Sequence, residues 1–182
     1  MGSNVSLLES KPNILPNEDL EVSNFVEKQF LNRGIKIYKN HSLLSLKEKG
    51  GLFEAEVKSG DKKLTLDFDK AILAVGIVGN IEDLDLEKVN VACSKGSIVV
   101  DEYCKTNVEN IYAIGDVASP PWLAHKASHE GISVAEQVAG LKVHPIKKDR
   151  IPACTYCDPE VASIGLTEKE AVEKKIEYKV GM

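Results

Sequence analysis

The chain has 182 residues, and its 28 acidic and 23 basic side chains give a formal net charge of −5. Hydrophobic residues make up 43% of it and charged residues 28%, a balance typical of globular proteins. The absence of a basic surplus argues against a nucleic-acid binder, and the longest apolar run, 71–79, is far shorter than the roughly 20 residues that span a bilayer. Four cysteines without a secretory leader predict a reducing compartment, which would be the cytoplasm, or the mitochondrial matrix in a eukaryote.

The sequence first predicts a strand, a helix and a second strand. Residues 5–9 are typical of a short parallel strand, and Asp19 or Asn17 then caps a helix that ends near Gly34. The second strand, 35–38, begins directly after that glycine. One apolar face of the helix is predicted from residues at helical spacing, which are Val22, Phe25, Val26, Gln29 and Phe30.

An antiparallel meander of three strands is predicted next. Alternating apolar and polar residues mark its strands at 42–47, 52–59 and 62–68, and glycine-containing turns join them. The apolar run 71–76 that follows predicts a buried parallel strand.

The second half of the chain predicts shorter elements. Residues 97–100 and the buried segment 112–114 are expected to be strands, and a helix is expected over about 124–139. A third segment starts near residue 151 with a strand, and residues 167–170 cap a final helix.

The most specific segment, residues 106–116, reads T-N-V-E-N-I-Y-A-I-G-D. It delivers Gly115, which has no side chain to block close approach, and then Asp116, whose carboxylate can accept a hydrogen bond from a ligand hydroxyl. Glu9, at the end of the first strand, is placed to accept bonds from both hydroxyls of a nucleotide ribose. Taken alone, a glutamate at a strand end is more often simply a solvated side chain. No G-x-G-x-x-G loop precedes Glu9 by the usual interval of about 20 residues, so we expect the sequence to start after that loop.

These segments resemble the flavoprotein disulfide reductases, or pyridine nucleotide-disulfide oxidoreductases, and among them the dihydrolipoamide dehydrogenases. The resemblance covers essentially the whole chain, and it is carried by residues 9–16, 74–80, 106–116, 122–131 and 151–168. It implies an α/β fold in which a partial two-dinucleotide, Rossmann-like structure for FAD and NAD precedes the start of an α+β interface domain. The implied domains are the later half of the NAD-binding domain (1–79), the second FAD-binding segment (80–148) and the opening of the dimer-interface domain (149–182).

The resemblance assigns cofactor contacts to this chain, but no catalytic residue and no metal ligand. The contacts with NAD are Glu9 at the adenosine ribose, Leu43 against adenine, and the backbone of Ala74 and Gly76 beside the nicotinamide ribose. The contacts with FAD are Asp116 at the ribityl chain and, mainly through their backbone, Trp122, Leu123, Ala124 and His125 at the flavin ring. Glu9 also favours NAD over NADP, because a carboxylate disfavours a 2′-phosphate.

The groups that carry the family's chemistry are expected outside this chain. In that family electrons pass from dihydrolipoamide through a redox disulfide and FAD to NAD, and a His–Glu pair serves as the base. Neither the C-x-x-x-x-C disulfide nor that base occurs here, so we expect an internal part of a longer enzyme. Cys154 and Cys157 form a C-x-x-C, but without a second pair for zinc or a helix start beside them they are expected to be buried, inert thiols.

The resemblance also implies partners, and it leaves alternatives open. It implies a homodimer that serves a dihydrolipoyl carrier protein or a 2-oxoacid dehydrogenase complex, with no nucleic acid and no membrane. One alternative is another NAD(P)H-linked flavoprotein reductase, of the NADH oxidase or mercuric reductase type. The other is a catalytically silent module for cofactor binding or assembly.

Overall fold

A computed structural model describes residues 2–181, which form two compact units. The first unit comprises the chain up to Ala74 together with the chain from Cys154, and the second comprises Val75–Ala153. None of the helices in the described part of the chain is long and apolar enough to cross a bilayer.

Most of the strands lie between the first and the second α-helix. In order they are β1 (Ser6–Glu9), α1 (Leu20–Asn32), β2 (Lys36–Lys39), β3 (Ser42–Lys49), β4 (Leu52–Ser59), β5 (Lys62–Phe68), β6 (Cys93–Ser94), β7 (Ser97–Ile98), α2 (Ala124–Val138), β8 (Ala153–Thr155), β9 (Val161–Ser163) and α3 (Glu168–Glu173). Short 3₁₀ helices lie at Leu86–Val89, Gly115–Val117 and Lys148–Arg150.

The sheets of the first unit follow the sequence prediction closely. Strands β1 and β2 pair in parallel, with Glu9 opposite Lys39, and β3, β4 and β5 form the antiparallel meander. The central strand β4 buries Ala55 and Val57 on one face, as the two-residue period of a strand requires. A bulge between Leu43 and Ser45 interrupts the pairing of β3 with β4.

Helix α1 was predicted with the right bounds, but its buried face is rotated from the predicted one. Ser23 and Val26 are the buried positions, whereas Val22 and Phe25 are exposed. Val26 forms the core of this unit with Ile14 and Val161, and the partly buried residues packed against that core are Leu7, Leu15, Phe30, Ile37 and Cys157. Ser23 is fully buried, and an apolar pattern alone cannot indicate a buried serine.

Two strands that the sequence predicts do not form, and these predictions are therefore wrong. Residues 71–76 have no strand partner, and Ile72 and Val75 are 92% and 86% exposed. An apolar run becomes a buried parallel strand only where neighbouring strands flank it, and β1 and β2 pair with each other instead. At 112–114, Tyr112 makes a single antiparallel bridge with Lys105 rather than a strand.

The remaining elements of the chain match the prediction in position. The predicted strand 97–100 shortens to β7, which pairs with β6, and α2 occupies most of 124–139. The second unit has its own core of Val91, Ile98 and Ala113. In the first unit, α3 begins with the expected capping box, in which Thr167 and Glu170 each accept a hydrogen bond from the other's backbone N–H.

Candidate cofactor-binding site

The Gly115–Asp116 turn of the second unit presents an unpartnered carboxylate. Gly115 has φ +70°, a conformation that favours glycine, and it begins the short 3₁₀ helix. Asp116 is exposed and makes no hydrogen bond or ion pair with any other described residue. All four lone-pair positions of this carboxylate are therefore available to hydroxyl donors of a ligand.

The start of α2 offers backbone N–H donors. The first N–H groups of a helix have no acceptor within it, and here the residue before the helix, Leu123, supplies no side-chain cap. The first turn contains no acidic residue, so its positive dipole end is not neutralised locally. The indole N–H of Trp122 is also buried without a hydrogen-bond partner in the described structure. These donors suit an anionic or carbonyl-bearing ligand.

The side chain of His125 already has a hydrogen-bond partner in the second unit. Its Nε2 lies 2.8 Å from the backbone oxygen of Pro152, within the same unit. Among the residues at the start of α2, His125 can therefore reach a ligand through its backbone N–H, which is the role that the family resemblance implies for it.

Gly79 is a close-contact position that the sequence interpretation did not single out. It is buried, and a Cβ added there would lie 2.7 Å from the backbone oxygen of Gly96 and 3.1 Å from the Cα of Val117. The backbone at Gly79 therefore lies tightly against Val117, the residue that follows Asp116. A glycine three residues after Gly76 was the available signal, but the sequence alone does not show which glycine lies against other backbone.

Lys126 and Glu130 form a buried ion pair beside the Gly115–Asp116 turn. The Lys126 Nζ lies 2.8 Å from Glu130 Oε1, and the backbone N–H of Gly115 donates to Glu130 Oε2 at 2.8 Å. The residue pattern does not single this pair out, because lysine and glutamate four residues apart are typical of an exposed helix face.

In the first unit, Glu9 has one carboxylate oxygen free. Its Oε1 accepts hydrogen bonds from the backbone N–H of Lys11 at 2.8 Å and from the Ser10 hydroxyl at 3.2 Å, whereas Oε2 has no partner among the described residues. The N–H of His41 donates to the Glu9 backbone oxygen at 3.0 Å, which brings the start of β3 to the end of β1. The half-buried Leu43 follows two residues later, just before the bulge.

The remaining predicted NAD contacts, Ala74 and Gly76, lie in an exposed segment without regular secondary structure, which bends at Val75. Gly76 has φ +129°, and space is open where a Cβ would be. The segment leaves their backbone accessible, and their contact with NAD stays a prediction.

The C-x-x-C thiols differ from the buried pair that we expected. Cys154 is exposed, because β8 alternates its faces and this residue points away from the packed side, and Cys157 is half-buried. The Cys157 thiol donates to the backbone oxygen of Pro159 at 2.9 Å. Both thiols are free, and no group of three or more His, Cys, Asp or Glu that could hold a metal occurs within residues 2–181.

Two models of known protein families match this chain. A family model described as pyridine nucleotide-disulphide oxidoreductase matches residues 1–131, and the model of the dimerisation domain of the same family matches 151–182. The chain belongs to the pyridine nucleotide-disulphide oxidoreductase family. The resemblance noted from the motifs is confirmed, and so is the α/β fold class.

Curated relatives align along the whole chain. A dihydrolipoyl dehydrogenase of Rhizobium etli is 46% identical over 100% of this chain and 38% of its own length. A dihydrolipoyl dehydrogenase of Zymomonas mobilis is 45% identical over 99% of this chain and 39% of its own length. The chain thus spans less than two fifths of the curated relatives that it matches.

Solved structures share the fold. LpdA from Mycobacterium tuberculosis superposes with a TM-score of 0.86 at 26% identity, covering 95% of this chain and 37% of that chain. The HOCl-induced flavoprotein disulfide reductase RclA from Escherichia coli superposes with a TM-score of 0.81 at 23% identity, covering 94% of this chain and 39% of that chain.

The described residues fit the cofactors of this family, FAD and NAD. In the second unit, an unpartnered carboxylate at Asp116 and an uncapped helix start at Leu123 match the hydroxyl donors and ring carbonyls of a flavin nucleotide. In the first unit, the free oxygen of Glu9 matches a ribose hydroxyl. FAD and NAD as the family's cofactors are confirmed, and the individual contacts remain predictions.

Proposed function

We propose that the natural protein is an FAD-dependent dihydrolipoamide dehydrogenase that oxidises protein-bound dihydrolipoamide and reduces NAD⁺. The observation that carries this proposal is the alignment of dihydrolipoyl dehydrogenases over 100% and 99% of this chain at 46% and 45% identity. Because the chain spans 38% and 39% of those relatives, the activity is proposed for the protein as a whole. The part we assign to this chain is cofactor binding.

The proposed overall reaction transfers two electrons from dihydrolipoamide to NAD⁺. The dithiol of dihydrolipoamide becomes a disulfide and releases two electrons and two protons, and NAD⁺ takes up a hydride while one proton is released. FAD supplies the electron-carrying chemistry when bound. The redox cysteines and the His–Glu base are expected outside these residues, as in the sequence interpretation.

The second unit would hold FAD from two sides. Asp116 accepts a hydrogen bond from a ribityl hydroxyl, and the backbone N–H groups at Leu123, Ala124 and His125 stabilise negative charge on the flavin ring. Trp122 adds its buried, unpartnered indole N–H to the same region. The support for this assignment is the absence of competing partners for these groups among the described residues.

The first unit would hold the adenosine end of NAD. Glu9 accepts hydrogen bonds from the ribose through its free Oε2, and Leu43 packs against adenine. A negative charge at Glu9 repels a 2′-phosphate, which supports NAD rather than NADP as the natural cofactor. Ala74 and Gly76 would pass the nicotinamide-side ribose with their backbone.

Assembly and partners follow from the same proposal. The match of residues 151–182 to the dimerisation domain supports a homodimer. We propose a dihydrolipoyl carrier protein or a 2-oxoacid dehydrogenase complex as the electron source, and the cytoplasm or the mitochondrial matrix as the compartment. The domain boundaries that we propose remain 1–79, 80–148 and 149–182.

The deciding experiment is an activity comparison on the protein expressed from its own gene. Formation of NADH from dihydrolipoamide and NAD⁺, followed at 340 nm, should far exceed oxidation of NADH by oxygen and mercury-dependent oxidation of NADPH. A dominant oxygen or mercury reaction would instead favour the NADH oxidase or the mercuric reductase alternative. Absence of flavin and of every redox activity would favour the silent module.

Asp116→Ala tests the FAD assignment in the same preparation. Its matched control is Glu109→Ala, because Glu109 is another exposed acid of the 106–116 segment and makes no hydrogen bond to a described residue. We expect Asp116→Ala to release FAD on gel filtration and Glu109→Ala to keep it. Equal flavin content in the two variants would contradict the assignment.

A further inference from the structure

Helix α2 buries charged and polar side chains rather than aliphatic ones. Its buried residues are Lys126, Glu130 and Ser133, and the side chains of Lys126 and Glu130 are only 2% and 7% exposed. The two charges neutralise each other at 2.8 Å. A buried ion pair of this kind seldom stabilises a fold more than two well-packed apolar side chains would, so its contribution to stability alone does not account for its presence here.

Glu130 also contacts a second group, outside the ion pair. Its Oε1 faces Lys126, and its Oε2 accepts the backbone N–H of Gly115 at 2.8 Å. The helix contacts the same stretch at neighbouring positions. A Cβ on Gly115 would lie 3.4 Å from the Cβ of Ala127, and a Cβ on Gly131 would lie 3.5 Å from Ile114 Cδ1.

Glu130 therefore links two elements that bear the proposed FAD contacts. Gly115 immediately precedes Asp116, and Glu130 lies on the helix whose first turn contains the free N–H groups. An unpaired N–H at Gly115 would be partly buried against the helix, which makes loss of this acceptor unfavourable. Hydrogen bonds are also directional, so this one restricts how the turn is placed against α2.

We infer that Glu130 is a positioning residue for FAD binding: its buried carboxylate, held by Lys126, fixes the Gly115–Asp116 turn against the start of α2. Lys126 supplies the opposite charge and occupies one carboxylate oxygen, which leaves the other for Gly115. Neither side chain is proposed to touch the cofactor. This inference rests on the proposed function, because it assumes that Asp116 and α2 contact FAD.

Two double variants separate the hydrogen bond from the charges. Lys126→Met with Glu130→Gln removes both charges and keeps an oxygen acceptor for Gly115. Lys126→Met with Glu130→Met removes both charges and the acceptor, at a similar side-chain volume. Both are made in the natural protein, and FAD binding to the apoprotein is measured by flavin fluorescence, well below the unfolding temperature of either variant.

We expect the Gln variant to bind FAD nearly as the parent does, and the Met variant to bind about tenfold more weakly. The absorption band of the bound flavin should also shift in the Met variant alone, because a displaced Asp116 changes the flavin environment. A purely structural ion pair would lower the unfolding temperature in both variants without separating their FAD affinities or spectra. Equal affinities and equal spectra would overturn the inference.

Amide hydrogen exchange in the parent protein provides a measurement that needs no variant. The Gly115 N–H should exchange slowly because it is hydrogen-bonded and partly buried, and exchange at the rate of an unprotected amide would overturn the inference. Asp116→Ala is measured in the same FAD series. If that variant binds FAD as the parent does, the proposed FAD assignment fails; if it binds weakly while the double variants agree, only the positioning role of Glu130 fails.

Discussion

The carboxylate of Asp19, just before α1, accepts a hydrogen bond from the backbone N–H of Glu168, which lies 149 residues further along the chain, with 2.8 Å between Oδ1 and the nitrogen. Asp19 makes no side-chain cap to its own helix. Instead it accepts the first N–H of α3, whereas Thr167 caps the same helix by accepting the backbone N–H of Glu170. A residue predicted to begin one helix thus stabilises the start of another in the same unit.

Replacement of Asp19 by alanine should therefore destabilise the α3 region. We expect Asp19→Ala to cost about 1 kcal/mol of unfolding free energy, the usual effect of losing a capping acceptor. Asp19→Asn is the matched control, because an amide oxygen can still accept from Glu168 and should lose far less. Denaturant titration measures both, and equal midpoints for the two variants would contradict this role.

A second prediction concerns acid stability at the start of α3. Hydrogen bonds from the backbone N–H and the hydroxyl of Thr167 lower the pKa of Glu170 from its ordinary value of 4.5. A depressed folded-state pKa means that the carboxylate contributes stability above pH 4.5, and that this contribution disappears as the pH falls through the folded-state pKa. The parent should therefore lose more stability on acidification than Glu170→Gln does.

Thermal unfolding followed between about pH 6 and pH 3 checks this expectation. Glu173→Gln, in the last turn of the same helix, serves as the control and should follow the parent curve. Parallel curves for the parent and Glu170→Gln would show that the capping box does not contribute.

Ser23 offers a stabilising substitution. Its hydroxyl is completely buried in α1 and has no hydrogen-bond partner in the described structure. Alanine removes the unsatisfied group and favours the helix, so Ser23→Ala should raise the unfolding free energy by about 1 kcal/mol. Ser23→Gly removes the same hydroxyl but disfavours the helix, and it should be less stable than Ser23→Ala. A lower midpoint for Ser23→Ala than for the parent would contradict the prediction.

Two glycines of the second unit should respond in opposite ways to alanine. Gly79→Ala places a Cβ 2.7 Å from the Gly96 backbone oxygen, so the backbone must shift, and we expect a loss of about 1 to 3 kcal/mol together with weaker FAD retention. Gly131→Ala lies inside α2 with its nearest contact at 3.5 Å, and it should gain up to about 1 kcal/mol. Calorimetry with flavin quantitation tests both, and a neutral Gly79→Ala would show that this approach is not tight.

The sequence was most informative where local pattern decides structure. The meander β3–β5 and the capping box at Thr167 were predicted because strand alternation and capping act over a few residues. The two strands that do not form were predicted at 71–76 and 112–114, where strand formation depends on neighbours that no local pattern specifies.

The same limit applies to the candidate site. The carboxylate of Asp116 suggests an acceptor from its residue type, and the family resemblance suggests the start of α2 as a donor; both assignments remain predictions. Gly79 and Glu130 were not predictable, since their significance lies in what they contact: a backbone oxygen for one, and a backbone N–H for the other. In sequence they are an ordinary glycine and one half of an apparently exposed ion pair.

The buried pair of α2 also constrains how this protein can change over evolutionary time. A single neutral substitution at Lys126 or at Glu130 leaves the other side chain as an unpaired charge in the interior, whereas replacement of both leaves no such charge. Viable descendants should therefore alter the two positions together, and those that lose both charges should keep a hydrogen-bond acceptor at position 130. Drift at the exposed acids nearby, such as Glu109, carries no comparable restriction.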